Sequence, residues 1–175
     1  MQVVDIIKKL PPDAQMTQRP VVMKIEIRRA RPEEAEAISD LSMRSKRSNG
    51  YDDVFMEACR EELTVTPSRM AEGEYWVAET DVICGCACLV ENLEGGSGEV
   101  HAFFIDPAFQ RRGVGRMLWL KVVELAKSKG ITTLHLEADP FAVPFYEAMG
   151  FVVVGEAPSG SIKGRTIPRM EIRLR

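Results

Sequence analysis

The stretch of sequence that decides the fold is Ile105-Asp106-Pro107-Ala108-Phe109-Gln110-Arg111-Arg112-Gly113-Val114-Gly115-Arg116-Met117-Leu118. It begins at the end of a predicted strand, residues 99–105, and runs into the clearest predicted helix of the chain, residues 114–129. Gly113 and Gly115 lie at the junction, where glycine lets the backbone turn tightly and approach a ligand closely. The sequence therefore predicts a glycine-containing loop between a strand and the first turn of a helix.

Such a loop is suited to binding phosphate groups. The first N–H groups of a helix have no partner within the helix, and the positive end of the helix dipole lies at the same place. A diphosphate satisfies both. Arg111, Arg112 and Arg116 add guanidinium groups, each able to hold phosphate oxygens through two hydrogen bonds. The same pattern would also arise from a tight turn that simply needs two glycines before a helix.

Two other kinds of nucleotide-binding loop fit the sequence less well. A P-loop ends in Gly-Lys-Ser/Thr, whereas Gly115 is followed by Arg116-Met117. A dinucleotide-binding loop has the pattern Gly-x-Gly-x-x-Gly within a βαβ unit. Here the glycine spacing is shorter, and the preceding strands are predicted to form antiparallel hairpins. Both alternatives are disfavoured.

The decisive stretch resembles the acetyl-CoA-binding motif of the GNAT superfamily, in which Asp-Pro is followed by Gln/Arg-x-x-Gly-x-Gly/Ala and a helix. A later run, Phe145-Tyr146-Glu147-Ala148-Met149-Gly150-Phe151, is similar to that family's second signature, Phe-Tyr-x-x-x-Gly-Phe. The resemblance extends from about residue 21 to residue 175. It implies an α+β fold with a mixed central sheet of about seven strands and about four helices. It also implies an N-acetyltransferase that carries an acetyl group from acetyl-CoA to a primary amine of a small molecule or protein by direct attack.

The remaining elements are predicted from hydrophobic periodicity and turn residues. Predicted strands cover residues 22–28, 75–79, 83–90, 99–105, 133–138, 151–155 and 170–174. Predicted helices cover residues 31–45, 52–63, 114–129 and 142–149, with a short helical turn from residue 67 to about residue 73.

Length and charge limit the class of protein. A chain of 175 residues suits a single domain, which we place at residues 21–175, after an N-terminal extension of residues 1–20 with the spacing of a short amphipathic helix. The net charge of −3 gives no basic excess for binding nucleic acid. We see no secretory signal and no run long and apolar enough to span a bilayer. We therefore expect a cytoplasmic protein with neither nucleic acid nor a membrane as partner, and the family resemblance implies a possible homodimer.

The four cysteines, Cys59, Cys84, Cys86 and Cys88, are predicted to be small buried hydrophobic residues. The last three alternate along a predicted strand, so they should share one face of the sheet. Their spacing differs from the C-x₂₋₄-C pattern of zinc sites, and neighbours on one strand do not form disulfides. We expect no metal, and free thiols in a reducing compartment.

The family resemblance assigns residues to the binding of acetyl-CoA. Backbone groups of Phe103, Phe104 and Ile105 would bind the pantetheine arm, and one of their N–H groups would polarise the thioester carbonyl. The pyrophosphate would be bound by the loop residues Gln110, Arg111, Arg112, Gly113, Val114, Gly115 and Arg116. The family often has an asparagine near the start of the last helix that contacts the CoA arm. This chain has Phe141 there, so that one polar contact differs.

The resemblance also assigns the acid–base chemistry. An acceptor amine is mostly ammonium at neutral pH, so a base must take its proton before attack. Glu99 matches the glutamate base of histone acetyltransferases in the family, and His101, predicted on the same face, is the rival base. A solvated Glu99 and a structural His101 remain open. Tyr146 matches the tyrosine that protonates the departing CoA thiolate, and a packed helix aromatic is its alternative.

The acceptor pocket is assigned by the resemblance to roughly residues 45–62 and 158–169. Within the second segment, Lys163, Arg165 and Arg169 would either meet the 3′-phosphate of CoA or an acidic acceptor, or belong to a solvated loop. A second hypothesis for the whole chain is a non-catalytic acyl-CoA sensor that keeps the fold. Tyr146 favours the enzyme, because a sensor has no need of an acid for the leaving group.

Overall fold

A computed structural model describes residues 23–92 and 95–175 of the chain. Seven strands form one sheet in the order β1-β2-β3-β4-β5-β7-β6. They are β1 (Glu26–Arg29), β2 (Glu74–Glu79), β3 (Ile83–Asn92), β4 (Ser97–Ile105), β5 (Thr133–Glu137), β6 (Val152–Pro158) and β7 (Thr166–Arg173). Every neighbouring pair is antiparallel except β4 and β5, which are parallel. The predicted mixed α+β sheet is confirmed, whereas the helix predicted within residues 1–20 lies outside the described residues.

The described residues contain six α-helices rather than about four. They are α1 (Ala35–Arg47), α2 (Asp53–Ala58), α3 (Arg60–Leu63), α4 (Pro67–Glu72), α5 (Val114–Ser128) and α6 (Val143–Ala148). The segment predicted as one helix over residues 52–63 is divided at Cys59, where ψ is −7°. Short 3₁₀ helices occupy Pro32–Glu34, Pro107–Phe109 and Pro140–Ala142. Within the described ranges, no helix has the length and apolar character needed to cross a membrane.

The two faces of the sheet are covered by different helices. Helix α5 packs on one face, where Leu118 and Val122 join a buried cluster with Leu89 and Val100 of the sheet. Helix α1 packs on the opposite face, and its Ile38 belongs to a second buried cluster. Burial of these aliphatic side chains stabilises the sheet between its helices. This arrangement leaves the ends of β4 and β5 between α1 and α5.

The four cysteines are all buried, as predicted, but the last three do not share one face of the sheet. Cys86 and Cys88 lie in the cluster under α1, whereas Cys84 lies in the cluster under α5. Cys84 is an extra residue in its strand, because Ala78 pairs with Gly85 while Glu79 pairs with Ile83. Such a bulge reverses the alternation of side chains, so the prediction of a single face was wrong at this residue.

Candidate active site

Strands β4 and β5 are joined at their start and part before their ends. The last pair in their register is Glu99 with His135, although β4 continues to Ile105. From Val100 onward, the edge of β4 that faces β5 has no strand partner within the described residues. Unpaired backbone N–H and C=O groups need another partner, and a bound ligand can supply it. The parting therefore creates a cleft lined along one side by free backbone.

A bulge in β4 lies at this parting. Cys86 pairs with Phe104 and Cys88 pairs with His101, so Ala102 and Phe103 together oppose a single residue. Ala102 has φ of +49°, a conformation uncommon for a residue with a Cβ atom. The thiol of Cys86, on the neighbouring strand β3, donates a hydrogen bond of 3.0 Å to the Ala102 carbonyl. The bulge redirects the backbone of β4 towards the cleft.

The loop after β4 has the conformation expected of an anion site. Arg111 and Gly113 adopt positive φ values of +58° and +82°. No side chain in residues 23–92 or 95–175 caps the N-terminus of α5, and the first bond of the helix runs from the N–H of Met117 to the carbonyl of Gly113. A Cβ atom on Gly115 would lie 3.1 Å from the ring of Phe145. The first-turn N–H groups are thus free to bind a diphosphate, and the loop fits the CoA group that the sequence implies.

A cavity of about 1180 Å³ joins the cleft, the loop and the space under α1. Its lining includes most of the predicted site residues: Glu99, His101, Phe103, Phe104, Ile105, Gln110, Arg111, Gly113, Gly115, Arg116 and Tyr146. Two predicted residues place their side chains elsewhere. The Val114 side chain is buried in the core, and the Arg112 guanidinium lies over the ring of Phe109. These two can contribute to the loop through their backbone.

Tyr146 is placed by aromatic packing on α6. Its ring meets those of Phe103, Phe145 and Phe151 at centroid distances of 5.3 to 6.0 Å. The side chain is 7 % exposed and lines the cavity. Burial raises the pKa of the Tyr146 phenol above its usual value, because the phenolate would lose its hydration. The hydroxyl therefore stays protonated and able to donate.

Glu99 and His101 form a pair at the mouth of the cavity. The His101 Nε2 lies 3.1 Å from a carboxylate oxygen of Glu99, and each side chain is about half exposed, at 52 % and 48 %. Their strand partners, Cys88 and Val90, belong to the face under α1. Both candidates for the base thus lie on the α1 side of the sheet, in contact with each other and with solvent.

Sequence reasoning assigned residues 45–62 and 158–169 to the acceptor pocket, but it missed the contacts by which charged and aromatic residues of these segments form a network with Asp139. The Lys46 ammonium lies 2.9 Å from the Asp139 carboxylate, and the Tyr51 hydroxyl donates to the same carboxylate at 3.1 Å. The Arg165 guanidinium donates to the Tyr51 hydroxyl at 2.8 Å. The rings of Tyr51 and Phe55 stack with their centroids 3.9 Å apart. These contacts join α1, the chain after β5 and the loop before β7.

A signal for part of this network was present in the sequence. Asp106 and Asp139 each stand before a proline at the end of a predicted strand. Each caps the following 3₁₀ turn with its carboxylate, and each pairs with a basic residue of α1, Arg44 with Asp106 and Lys46 with Asp139. The repeated Asp-Pro dipeptide, with two cations spaced two apart on the first helix, could have indicated both ion pairs.

Comparisons with known proteins agree with this geometry. The sequence profile of the acetyltransferase (GNAT) family matches residues 35–151. The peptidyl-lysine N-acetyltransferase YjaB of Salmonella typhimurium is 33 % identical over 151 residues, which cover 86 % of this chain and 98 % of that protein.

Solved structures share the fold. The PaiA N-acetyltransferase of Thermoplasma acidophilum, in complex with coenzyme A, aligns with a TM-score of 0.71 at 21 % identity, over 87 % of this chain and 100 % of that one. The IAA acetyltransferase of Bacillus cereus aligns with a TM-score of 0.59 at 18 % identity, over 86 % of this chain and 100 % of that one. The profile match spans most of the chain and the match to the Salmonella relative covers 86 % of it, so this protein is an acetyl-CoA-dependent N-acetyltransferase and belongs to the GNAT family.

Proposed function

We propose that the chain transfers an acetyl group from acetyl-CoA directly to a primary amine in the cleft between β4 and β5. The observation that carries this proposal is the continuity of backbone donors. The unpartnered edge of β4 leads from the bulge at Ala102 to Ile105, and the loop with free N–H groups follows it. A thioester and a diphosphate at the two ends of one ligand would both meet such donors.

The donor's binding is divided between strand and loop. Backbone groups of Phe103, Phe104 and Ile105 hold the pantetheine arm, and an N–H near the bulge polarises the thioester carbonyl. Residues 110–116 hold the pyrophosphate, with Arg111 and Arg116 supplying charge from the cavity wall. The fit is supported by the positive φ values of the loop and by the close approach of Gly115 to Phe145.

The acid and base come from different parts of the cavity wall: Glu99 and His101 lie on the α1 side of the sheet, and Tyr146 packs with the cluster under α5. The Glu99–His101 pair takes a proton from the acceptor ammonium, directly or through water, since both side chains reach solvent and the cavity. The free amine attacks the carbonyl carbon, a C–N bond forms and the C–S bond breaks. The Tyr146 hydroxyl gives its proton to the CoA thiolate, and the second proton, which the attacking nitrogen loses as it becomes an amide, returns to the Tyr146 phenolate through water.

The acceptor is expected to be an amine of a protein or of a small molecule. The Salmonella relative carries the name of a peptidyl-lysine acetyltransferase, which favours testing lysine side chains first. A cytoplasmic location, expected from the free cysteines, and a homodimer, implied by the family resemblance, belong to the same proposal.

The test is product formation with the full chain. Acetyl-CoA is incubated with single amines and with lysine-containing peptides, and the acetylated product is detected by mass. This readout avoids thiol reagents, which could also report the protein's own cysteines. We expect a mass gain of one acetyl group on at least one acceptor, dependent on enzyme. Binding of CoA in calorimetry with no acetylated product in any reaction would instead favour a sensor.

A further inference from the structure

Arg165 is a cation of the cavity wall that forms no direct ion pair with an acid of the described residues. Its guanidinium has five N–H donors, and in the described part of the chain its hydrogen bond goes to the neutral hydroxyl of Tyr51. The same guanidinium lies over the rings of Tyr51 and Phe55, 5.3 and 4.9 Å from their centroids. Stacking holds the group in place without neutralising it. The side chain is partly buried and lines the same cavity as Tyr146.

The neighbouring carboxylate is already engaged. Asp139 pairs with Lys46, caps the N–H of Phe141 and accepts from the Tyr51 hydroxyl. Among the residues that the structure describes, the network thus holds two cations, Lys46 and Arg165, against the carboxylate of Asp139. A partly buried cation without a counter-charge is unfavourable, and a bound anion would relieve this cost.

We propose that Arg165 binds an anionic group of the acceptor, so that the preferred acceptor is an amine that also carries a carboxylate or phosphate. The inference rests on the proposed transfer to an amine in this cavity. The planar guanidinium can hold either kind of anion through paired hydrogen bonds. Its contacts are with Tyr51 and Phe55, in the segment between α1 and α3, rather than with the loop of residues 110–116, which has arginines of its own.

Matched pairs of amines test the inference. L-Alanine is compared with L-alaninamide, and phosphoethanolamine with ethanolamine, by kcat/KM for acetyl transfer. We expect the anionic member of at least one pair to be preferred by about tenfold or more, the effect of a charge-assisted hydrogen bond. The two pairs distinguish a carboxylate from a phosphate.

Variants locate the effect. Arg165→Gln should abolish the preference. Arg165→Lys keeps the positive charge but lacks the paired N–H donors of the planar guanidinium, so it should retain part of the preference. Lys163→Gln is the matched control, because Lys163 is an exposed cation of the same loop and does not line the cavity. It should keep the full preference. Thermal unfolding of each variant checks that the loop change leaves the protein folded.

Three outcomes would overturn the inference. They are equal use of both members of each pair by the unmodified protein, a preference that survives Arg165→Gln, and a rise in the KM of acetyl-CoA in that variant with the preference intact. The last would assign Arg165 to the 3′-phosphate of CoA. If no amine is acetylated, the proposed function fails. The inference is then tested by calorimetry of the same pairs against CoA-loaded protein, where tighter binding of the anionic member must be lost in Arg165→Gln.

Discussion

Lys46 on α1 and Asp139, which follows β5, form an ion pair of 2.9 Å, with both side chains about 15 % exposed. Two residues earlier on the same helix, Arg44 pairs at 2.9 Å with Asp106, which follows β4. One turn of α1 is therefore bonded to the ends of both strands whose parting forms the cleft. We infer that this helix fixes the width of the cleft.

Loss of the Lys46 charge should destabilise the protein. In Lys46→Met, Asp139 keeps its hydrogen bonds but loses its cation in a partly buried place, and we expect a loss of about 1–3 kcal/mol in the free energy of unfolding. Urea unfolding measures it. The control is Asp53→Asn, which breaks the exposed pair of Arg47 and Asp53 and should cost below about 1 kcal/mol. An equal loss of unfolding free energy in both variants would show that the Lys46–Asp139 pair contributes no more to stability than the exposed Arg47–Asp53 pair.

The loop before α5 should need glycine at residue 113 for binding rather than for folding alone. Gly113 and Gly130 lie at opposite ends of α5, both with positive φ and with open space around the missing Cβ. Alanine at either place should cost a similar amount of stability, about 1 kcal/mol, from backbone strain. Gly113→Ala should also weaken CoA binding, because the strain turns the loop's N–H groups away. Calorimetry with CoA compares the two variants, and equal affinities would count against the loop as the diphosphate site.

The strand–loop–helix junction could be predicted because its determinants are local. Gly113 indicates a positive φ, and Gly115 indicates a place where the backbone lies close to another group, here the ring of Phe145. The Asp106-Pro107 dipeptide indicates the end of a strand. The helix predicted over residues 114–129 was also correct, but its periodicity did not indicate that Met117 is exposed and Trp119 buried. Trp119 is buried by its contact with Phe151, a neighbour more than thirty residues away that helical spacing does not reveal.

The bulge in β4 could not be predicted, because no residue type marks it. Ala102 carries the positive φ, and an alanine in an apolar run is typical of a regular strand. Its partner Cys86 was interpreted as a hydrophobic residue alone. The bulge depends on register with β3, a tertiary property.

The Cys86 thiol should act on catalysis through the bulge. Cys84 and Cys86 are both fully buried and each donates to a carbonyl, Cys84 to Ala78 at 3.3 Å and Cys86 to Ala102 at 3.0 Å. Alanine at either place should cost about 1–2 kcal/mol of stability. Cys86→Ala should in addition lower kcat by about tenfold, because the backbone that is proposed to polarise the thioester carbonyl loses the hydrogen bond of the thiol. Steady-state kinetics of the two variants compare their kcat values. An unchanged kcat in Cys86→Ala would show that the thiol has no part in the mechanism.

Glu34 should make the free energy of unfolding depend on pH under acidic conditions. Hydrogen bonds from Arg28, at 2.6 and 2.9 Å, lower the pKa of the Glu34 carboxyl from 4.5 to about 2, against the opposing effect of burial. Since the folded state holds the lower pKa, this stabilisation is complete above about pH 4.5 and is lost as the pH falls towards 2.

We expect Glu34→Gln to flatten the decline of stability between about pH 5 and pH 2 by about 1–2 kcal/mol. Urea unfolding at a series of pH values measures the slope. Glu33→Gln is the control, since the Glu33 side chain is 72 % exposed and should leave the slope almost unchanged. If the free energy of unfolding of Glu34→Gln falls with pH as steeply as that of the unmodified protein, other carboxylates are responsible for the sensitivity to acid.

Tyr146→Phe should separate chemistry from binding. The ring contacts with Phe103, Phe145 and Phe151 remain, so CoA affinity and thermal stability should stay close to those of the unmodified protein. The thiolate would lose its proton donor, and kcat should fall by about 10²-fold, the usual contribution of a positioned acid. Because burial raises the pKa of this phenol, the unmodified protein should show no loss of kcat from its ionisation below about pH 10. Pre-steady-state and steady-state rates, measured over pH with acetyl-CoA at saturation, test both statements. A phenylalanine variant with full kcat would leave protonation of the thiolate to water, and Tyr146 would then be a packing residue of the cavity wall.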